Sequence, residues 1–341
     1  MNQQLEWDLY DKYNYIVHYI RYRKNQLIHL LTGKDYWGLP KIVAGKRLLS
    51  VIKTNQIIGS AILEGKPFWA GRYGGIENDM IYAVLQHRMH PEKDIRKEAV
   101  QKLYYNAGFF PADVAYGERF VDLMLKECAG LDLQGMWRRY MEDYIYMVYE
   151  KGHTRLTQLH HLEPWNMYLC NVPDGTKPWS AALKGKRVLV VHPFAETIEK
   201  QYMQKRDKIF HRVFAVDDIL PEFELLTLQA VQTQANEQDT RFHDWFDALK
   251  WMVQECQKKD FDVAIIGCGA YGFLLAAEVK KMGKVAIHLG GATQLLFGII
   301  GTRWERETPR FYRDVVNEYW VRPSAKERIK EADQIEQGCY W

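Results

Sequence analysis

Apolar positions recur at two different spacings along this chain, and the change between them divides it. From about Leu5 to Leu31, Tyr15, Ile16, Tyr19, Ile20, Leu27 and Ile28 recur at mostly helical spacing, which predicts a long helix. A less regular stretch leads into Leu48–Ile52. Lys66–Arg72 then reads as a short strand ending at glycines, and Ile76, Met80, Ala83 and Val84 mark one side of a helix over Ile76–Leu85. From about Asp94 to Glu150 the pattern is mostly helical, broken at Gly108-Phe109-Phe110-Pro111 and at Gly130. Trp137, Tyr140, Tyr144 and Val148 form an aromatic stripe there, suited to helix packing.

Past the turn-rich connector Asn171–Pro178 the pattern changes. Lys186–Pro193, Glu224–Val231, Phe261–Gly267 and Val285–Leu289 are short apolar runs, and the helical patterns Ala195–Lys205, Trp245–Val253 and Tyr271–Met282 fall between them. Strands that alternate with helices predict an α/β fold with a doubly wound, mostly parallel, Rossmann-like sheet. The N-terminal and middle regions are expected to be helical. The expected division is a helical region over 1–60, a strand–helix with a helical segment over 61–175, the Rossmann-like region over 176–310 and a helical extension over 311–341.

Composition narrows the function classes. Net charge is +3, with both signs mixed along the chain, so a nucleic-acid groove is not expected. The five cysteines form no C-x-x-C pair, which argues against a zinc knuckle or a disulfide scaffold. The first residues carry acids and no signal-like apolar run, and no stretch is long and apolar enough to span a bilayer. A cytoplasmic protein is expected; a peripheral contact with the inner face of the membrane stays open.

Open parallel sheets bind ligands beyond the carboxyl ends of their strands, and three stretches occupy such positions. Val191-His192-Pro193 ends one strand, and His192 can donate to a phosphate or move a proton. Gly267-Cys268-Gly269-Ala270-Tyr271-Gly272 is G-x-G-x-x-G directly after another, a pattern that lets a phosphate approach a helix N-terminus. The strand after it ends in His288 rather than in the acid that a dinucleotide site needs. His288-Leu289-Gly290-Gly291-Ala292-Thr293 is the third, with side-chain and backbone groups for a phosphate, ribose or sugar. Histidines 153, 160 and 161 match no compact metal motif and read as core or surface residues. Earlier in the chain, Arg72-Tyr73-Gly74-Gly75-Ile76-Glu77-Asn78-Asp79 sits at a strand-to-helix junction with an arginine and two acids. Arg303 and Trp304, after a glycine-marked loop, can reach a phosphate and stack on a sugar or base.

The motifs Arg72–Glu77, Ile265–Gly269 with its Ala/Leu-rich helix, and Met282–Gly290 resemble the GT-D-type bacterial glycosyltransferases found in surface-polysaccharide gene sets. The resemblance covers the start of the catalytic region and roughly residues 185 to 305. It implies glycosyl transfer from a nucleotide-sugar donor to a hydroxyl of a glycan or lipid-linked glycan acceptor. It places Arg72, Gly74, Gly267, Gly269 and Gly290 around the donor diphosphate; read from their own positions, Gly272, Gly291, Thr293 and Arg303 are further donor-binding candidates, and Glu77, His192 and His288 are the candidates for the chemistry. It further implies Mg²⁺ or Mn²⁺ at Glu77 and Asp79. Gly75 stands where the family's first acid belongs. Two other readings fit the same residues: a noncatalytic nucleotide-sugar binder or assembly protein, and another Rossmann-like nucleotide-dependent enzyme.

Overall fold

The structure, a computed structural model, describes residues 3–32, 42–137, 141–150, 152–170, 172–213, 216–335 and 338–341. Tyr140 and Asn171, and the side chains of Tyr15, Tyr19 and Ile28, lie outside this description. Seven parallel strands form the central sheet: β1 (Phe68–Gly71), β2 (Leu133–Met136), β3 (Arg155–Gln158), β4 (Arg187–His192), β5 (Glu224–Gln229), β6 (Val263–Ile266) and β7 (Val285–His288). Their order is β3-β2-β1-β7-β6-β4-β5, and every pairing is parallel. Residues 61–175 supply three of these strands and residues 176–310 the other four.

Successive residues of a strand point to opposite faces, and both faces are covered. Leu189, Val191, Ala264, Ile266 and Ala286 pack on one side with helices α3 (Gly75–Met89), α4 (Arg96–Ala107), α5 (Val114–Glu127), α8 (Trp245–Gln257) and α9 (Gly272–Lys281). Val188, Val190, Val263, Ile265, Val285 and Ile287 pack on the other with α2 (Val51–Glu64), α7 (Ala195–Ile209) and part of the C-terminal segment. This is the doubly wound architecture expected from the alternating pattern.

The long N-terminal helix α1 (Gln3–Thr32) is also present. Its inner face docks through Trp7, whose Nε1 donates to Gln86 at 2.8 Å, and through the Tyr10 hydroxyl, 2.5 Å from Asp143.

The middle region departs from the expected run of helix. Leu133–Met136 is strand β2, all four residues buried, and Arg155–Gln158 is the edge strand β3. Leu133-Gln134-Gly135-Met136 has a glutamine and a glycine where a buried strand normally shows β-branched residues, so its composition hid it. Trp137 follows β2 whereas Tyr144 lies on α6 (Glu142–Val148), so the expected stripe is split between two elements. Of the three unassigned histidines, His161 is buried with Nδ1 2.9 Å from the Thr157 hydroxyl, and burial pulls its pKa down to about 4.

Candidate functional site

In this strand order the chain leaves β1 toward β2 on one side while β7 flanks it on the other. It leaves β4 toward β5, then returns to β6 on β4's opposite side. Crevices open beyond the carboxyl ends of strands at such reversals. A cavity of about 660 Å³ lies there, a size suited to a ligand larger than a simple metabolite. It joins the end of β1 (Arg72, Gly74, Gly75, Glu77), the end of β4 (His192), the turns after β6 (Gly267, Gly269) and β7 (His288, Gly290, Gly291), and Arg303.

Arg72, Arg303 and Arg306 all line it. The Arg72 guanidinium lies 5.2 Å from the centre of the Trp137 ring, and its Nη1 donates to the Tyr73 carbonyl at 3.2 Å. Trp137 Nε1 donates to the same carbonyl at 3.1 Å, so ring and guanidinium are fixed side by side. Arg72 Nε is buried without a hydrogen-bond partner. Around the same cavity His288 Nδ1, the Gln294 side-chain oxygen and Trp341 Nε1 are likewise buried and unpartnered. Buried polar groups without a partner can be completed by a bound ligand.

Both histidines are neutral. Burial pulls the His192 pKa down to about 3; burial first, and then the neighbouring Arg72 charge, does the same to His288. The backbone N–H of Phe194 donates to His192 Nδ1 at 3.0 Å. Because that donor is unambiguous, Nδ1 is the acceptor and the ring proton sits on Nε2. His192 is thus a neutral donor at its other nitrogen, not a cation.

Two helix N-termini at this end of the sheet are occupied by the protein's own carboxylates. Glu327 is buried and accepts from the backbone N–H of Glu196 at 2.8 Å and of Thr197 at 3.2 Å, and from the Thr197 hydroxyl. It fills the seat at the start of α7 that a phosphate would otherwise use. Glu77 stands three residues after Gly74, the residue that precedes α3, and a Cβ on Gly74 would collide with its carboxylate. That is the N-terminal position from which a glutamate completes a helix start.

The remaining expected residues fall into two groups. Gly290 has a φ of +62°, and a side chain there would strike the Arg72 guanidinium; the glycine makes room for the arginine. Gly291 does the same for the Tyr340 ring. Gly272 and Thr293 do not line the cavity: Gly272 backs onto the His288 ring, and Thr293 is buried beneath Gly267 with its hydroxyl 3.2 Å from the Ile266 carbonyl. Asp79 is exposed and also lies outside the cavity lining. Two residues past Glu77 on a helix, it is turned through about 200° from it, so the two carboxylates point apart.

This bears on the metal. Among the described lining residues Glu77 is the one carboxylate, and it stands with three arginines and two neutral histidines. A divalent hard cation needs several oxygen ligands, so this donor set fits an anion rather than Mg²⁺ or Mn²⁺. His243, Asp244 and Asp247 could hold a metal ion, their ligand atoms lying within 4.8 Å of one another. They sit at the start of α8, outside the cavity, where Asp244 accepts from the Asp247 N–H at 2.9 Å as the helix cap.

Several lining residues belong to no motif in the sequence. Asn106–Gly108, at the end of α4, and Gln232–Gln234, beyond β5, form one wall. They are tied together by Thr233 Oγ1 donating to the Gly108 carbonyl at 2.7 Å and Gln234 Nε2 to that of Asn106 at 3.0 Å. Tyr340 and Trp341 form another, held by Gln294 Nε2 on the Tyr340 carbonyl at 3.2 Å and by Arg303, 5.0 Å from the Tyr340 ring centre. No spacing rule links residue 340 to residue 72; only the fold brings them together.

No curated protein and no solved structure matches this chain. Residues 49–296, which hold all seven strands and the motif-bearing turns, match the GT-D fold-like domain, and the chain belongs to that family.

Proposed function

We propose that this protein transfers a glycosyl group from a nucleotide-sugar to a hydroxyl of a cell-surface glycan precursor, with the donor diphosphate held by Arg72, Arg303 and Arg306. The family is associated with glycosyltransferase activity. The observation that carries the finer reading is the gathering of three arginines and the neutral donor His192 around one large cavity beyond the strand ends. In the transfer, the acceptor oxygen bonds to the anomeric carbon as the bond from that carbon to the diphosphate oxygen breaks. The nucleoside diphosphate leaves with the electron pair, and the acceptor proton passes to a base. Guanidinium forks neutralise the charge that develops on the leaving group. Glu77, the carboxylate on the wall, is the residue assigned to take the proton. Trp137, Tyr340 and Trp341 offer faces for a base or sugar ring.

Calorimetric titration with UDP, GDP and their sugar conjugates tests this. Micromolar binding of one base series is expected, unchanged by EDTA, and weakened roughly tenfold to a hundredfold by Arg72→Ala through loss of charge-assisted hydrogen bonds. Glu77→Gln should spare binding and abolish transfer. If no nucleotide binds, the assignment of the cavity fails. Binding that requires Mn²⁺ and is lost in Glu77→Gln would restore a metal site.

A further inference from the structure

The outer face of α1 bears a stripe of apolar residues that nothing in the chain covers among the described residues. Leu5, Leu9, Tyr13, Ile16, Ile20, Leu27 and Leu31 are 47–73% exposed. At 3.6 residues per turn all seven fall within about 80° of arc, on the side of the helix opposite Trp7. From Leu9 the positions 9, 13, 16, 20, 23 and 27 run in alternating steps of four and three. That narrow 3.5-residue seam is the pattern of one helix packed along another; a helix lying on lipid has a broader apolar face.

The stripe is also symmetric about position 18. Turned end for end, Leu5 meets Leu31, Leu9 meets Leu27, and Ile16 meets Ile20. Arg23 alone breaks the apolar run, and its mate is Tyr13, on whose ring a guanidinium can stack. A parallel, in-register pair would instead set Arg23 against its own copy. An isologous interface requires a surface complementary to itself after a twofold rotation, which is what this sequence of positions supplies.

We infer that α1 is the interface of a homodimer, in which two copies of the helix pack antiparallel along this stripe, each with its inner face still docked on its own fold. Leu9 then packs against Leu27 of the partner subunit, and Ile16 against Ile20 of the partner subunit. The inference is independent of the donor site.

Sedimentation velocity of the full chain between about 1 and 100 µM is expected to show a dimer. Ile16→Asp with Ile20→Asp should weaken self-association at least about a hundredfold, since it removes four apolar side chains from the seam and adds four charges. Because both positions are exposed in the single chain, its thermal midpoint measured on the monomer should stay within a few degrees of wild type. A wild type that is monomeric throughout, or a double variant that still dimerises, overturns the interface. A monomer that instead sediments with phosphatidylglycerol vesicles also overturns it and assigns the stripe to a membrane. Orientation is read in a Cys170→Ser background. Leu9→Cys with Leu27→Cys should oxidise to a covalent dimer and neither single cysteine should; crosslinking by Leu9→Cys alone overturns the antiparallel arrangement.

Discussion

Replacing Glu150 by glutamine should make this protein markedly more stable at pH 8 and change it far less at pH 5. Glu150 is fully buried, and its Oε1 accepts from the Tyr73 hydroxyl at 2.7 Å. Burial raises its pKa to about 7, against the hydrogen bond from Tyr73, which opposes the shift. The Tyr73 hydroxyl is pushed well above its usual range, chiefly by burial and then by Glu150, so it remains a donor throughout. With a folded pKa near 7 and an unfolded value near 4.5, the native state binds the proton more tightly. Stability from this group is therefore fully present below about pH 4.5 and is lost as pH rises through 7. The loss amounts to about 3 kcal/mol at 1.36 kcal/mol for each pH unit of difference. Glutamine keeps the acceptor for Tyr73 and never ionises. Urea titrations of both proteins at pH 5 and pH 8 should give a midpoint difference that opens in favour of the variant mainly at the higher pH. A difference of equal size at both pH values would refute the reasoning, because it would mean Glu150 is already ionised, or never ionised, across the range.

Other consequences of the geometry are equally direct. Gly290→Ala places a side chain at a left-handed position and against the Arg72 guanidinium; about 1–2 kcal/mol of stability and most nucleotide affinity should go, by thermal melting and calorimetry. Glu327→Ala strips the start of α7 of its acceptor and should lower stability by about 2 kcal/mol, with Glu327→Gln recovering most of it in the same melts. Since His192 and His288 gain protons only near pH 3, ligand affinity measured from pH 5 to 8 should show no histidine titration at either residue. A step near pH 6.5 that disappears in His192→Ala would contradict the neutral state assigned to it above.

The half of the sheet that reads clearly from sequence is the half made of uniform apolar runs. Val188–Val191 and Val263–Ile266 are buried on both faces and flanked by turns, so they declare themselves as strands. β2 does not, because Gln134 and Gly135 interrupt its apolar pattern, and Gly135 is needed where Leu162 packs close. The turns after β1, β4, β6 and β7 come together because the carboxyl ends of parallel strands lie along one edge of the sheet. The glycines of the G-x-G-x-x-G run were legible as a tight turn, but not for their reason. A Cβ on Gly267 would strike the Gly290 carbonyl and Thr293, and one on Gly272 would strike His288, so both glycines serve turn-on-turn packing first. The divergence of Asp79 from Glu77 was already implicit in the helix expected over Ile76–Leu85, since residues two apart on any helix are turned about 200° from each other.

The cavity takes Arg72 from near one end of the sequence and Tyr340 and Trp341 from the other, joined through Gly291, Gln294 and Arg303. A chain emerging progressively can form β1 and its turn, and later the paired strands around it, while this wall is still missing. Closing so long a loop is entropically demanding and waits on contacts made elsewhere. This wall of the cavity is therefore a late product of folding. A chain cut short before residue 340 would keep most of the sheet and lose the aromatic wall against which Arg72 and Arg303 are set.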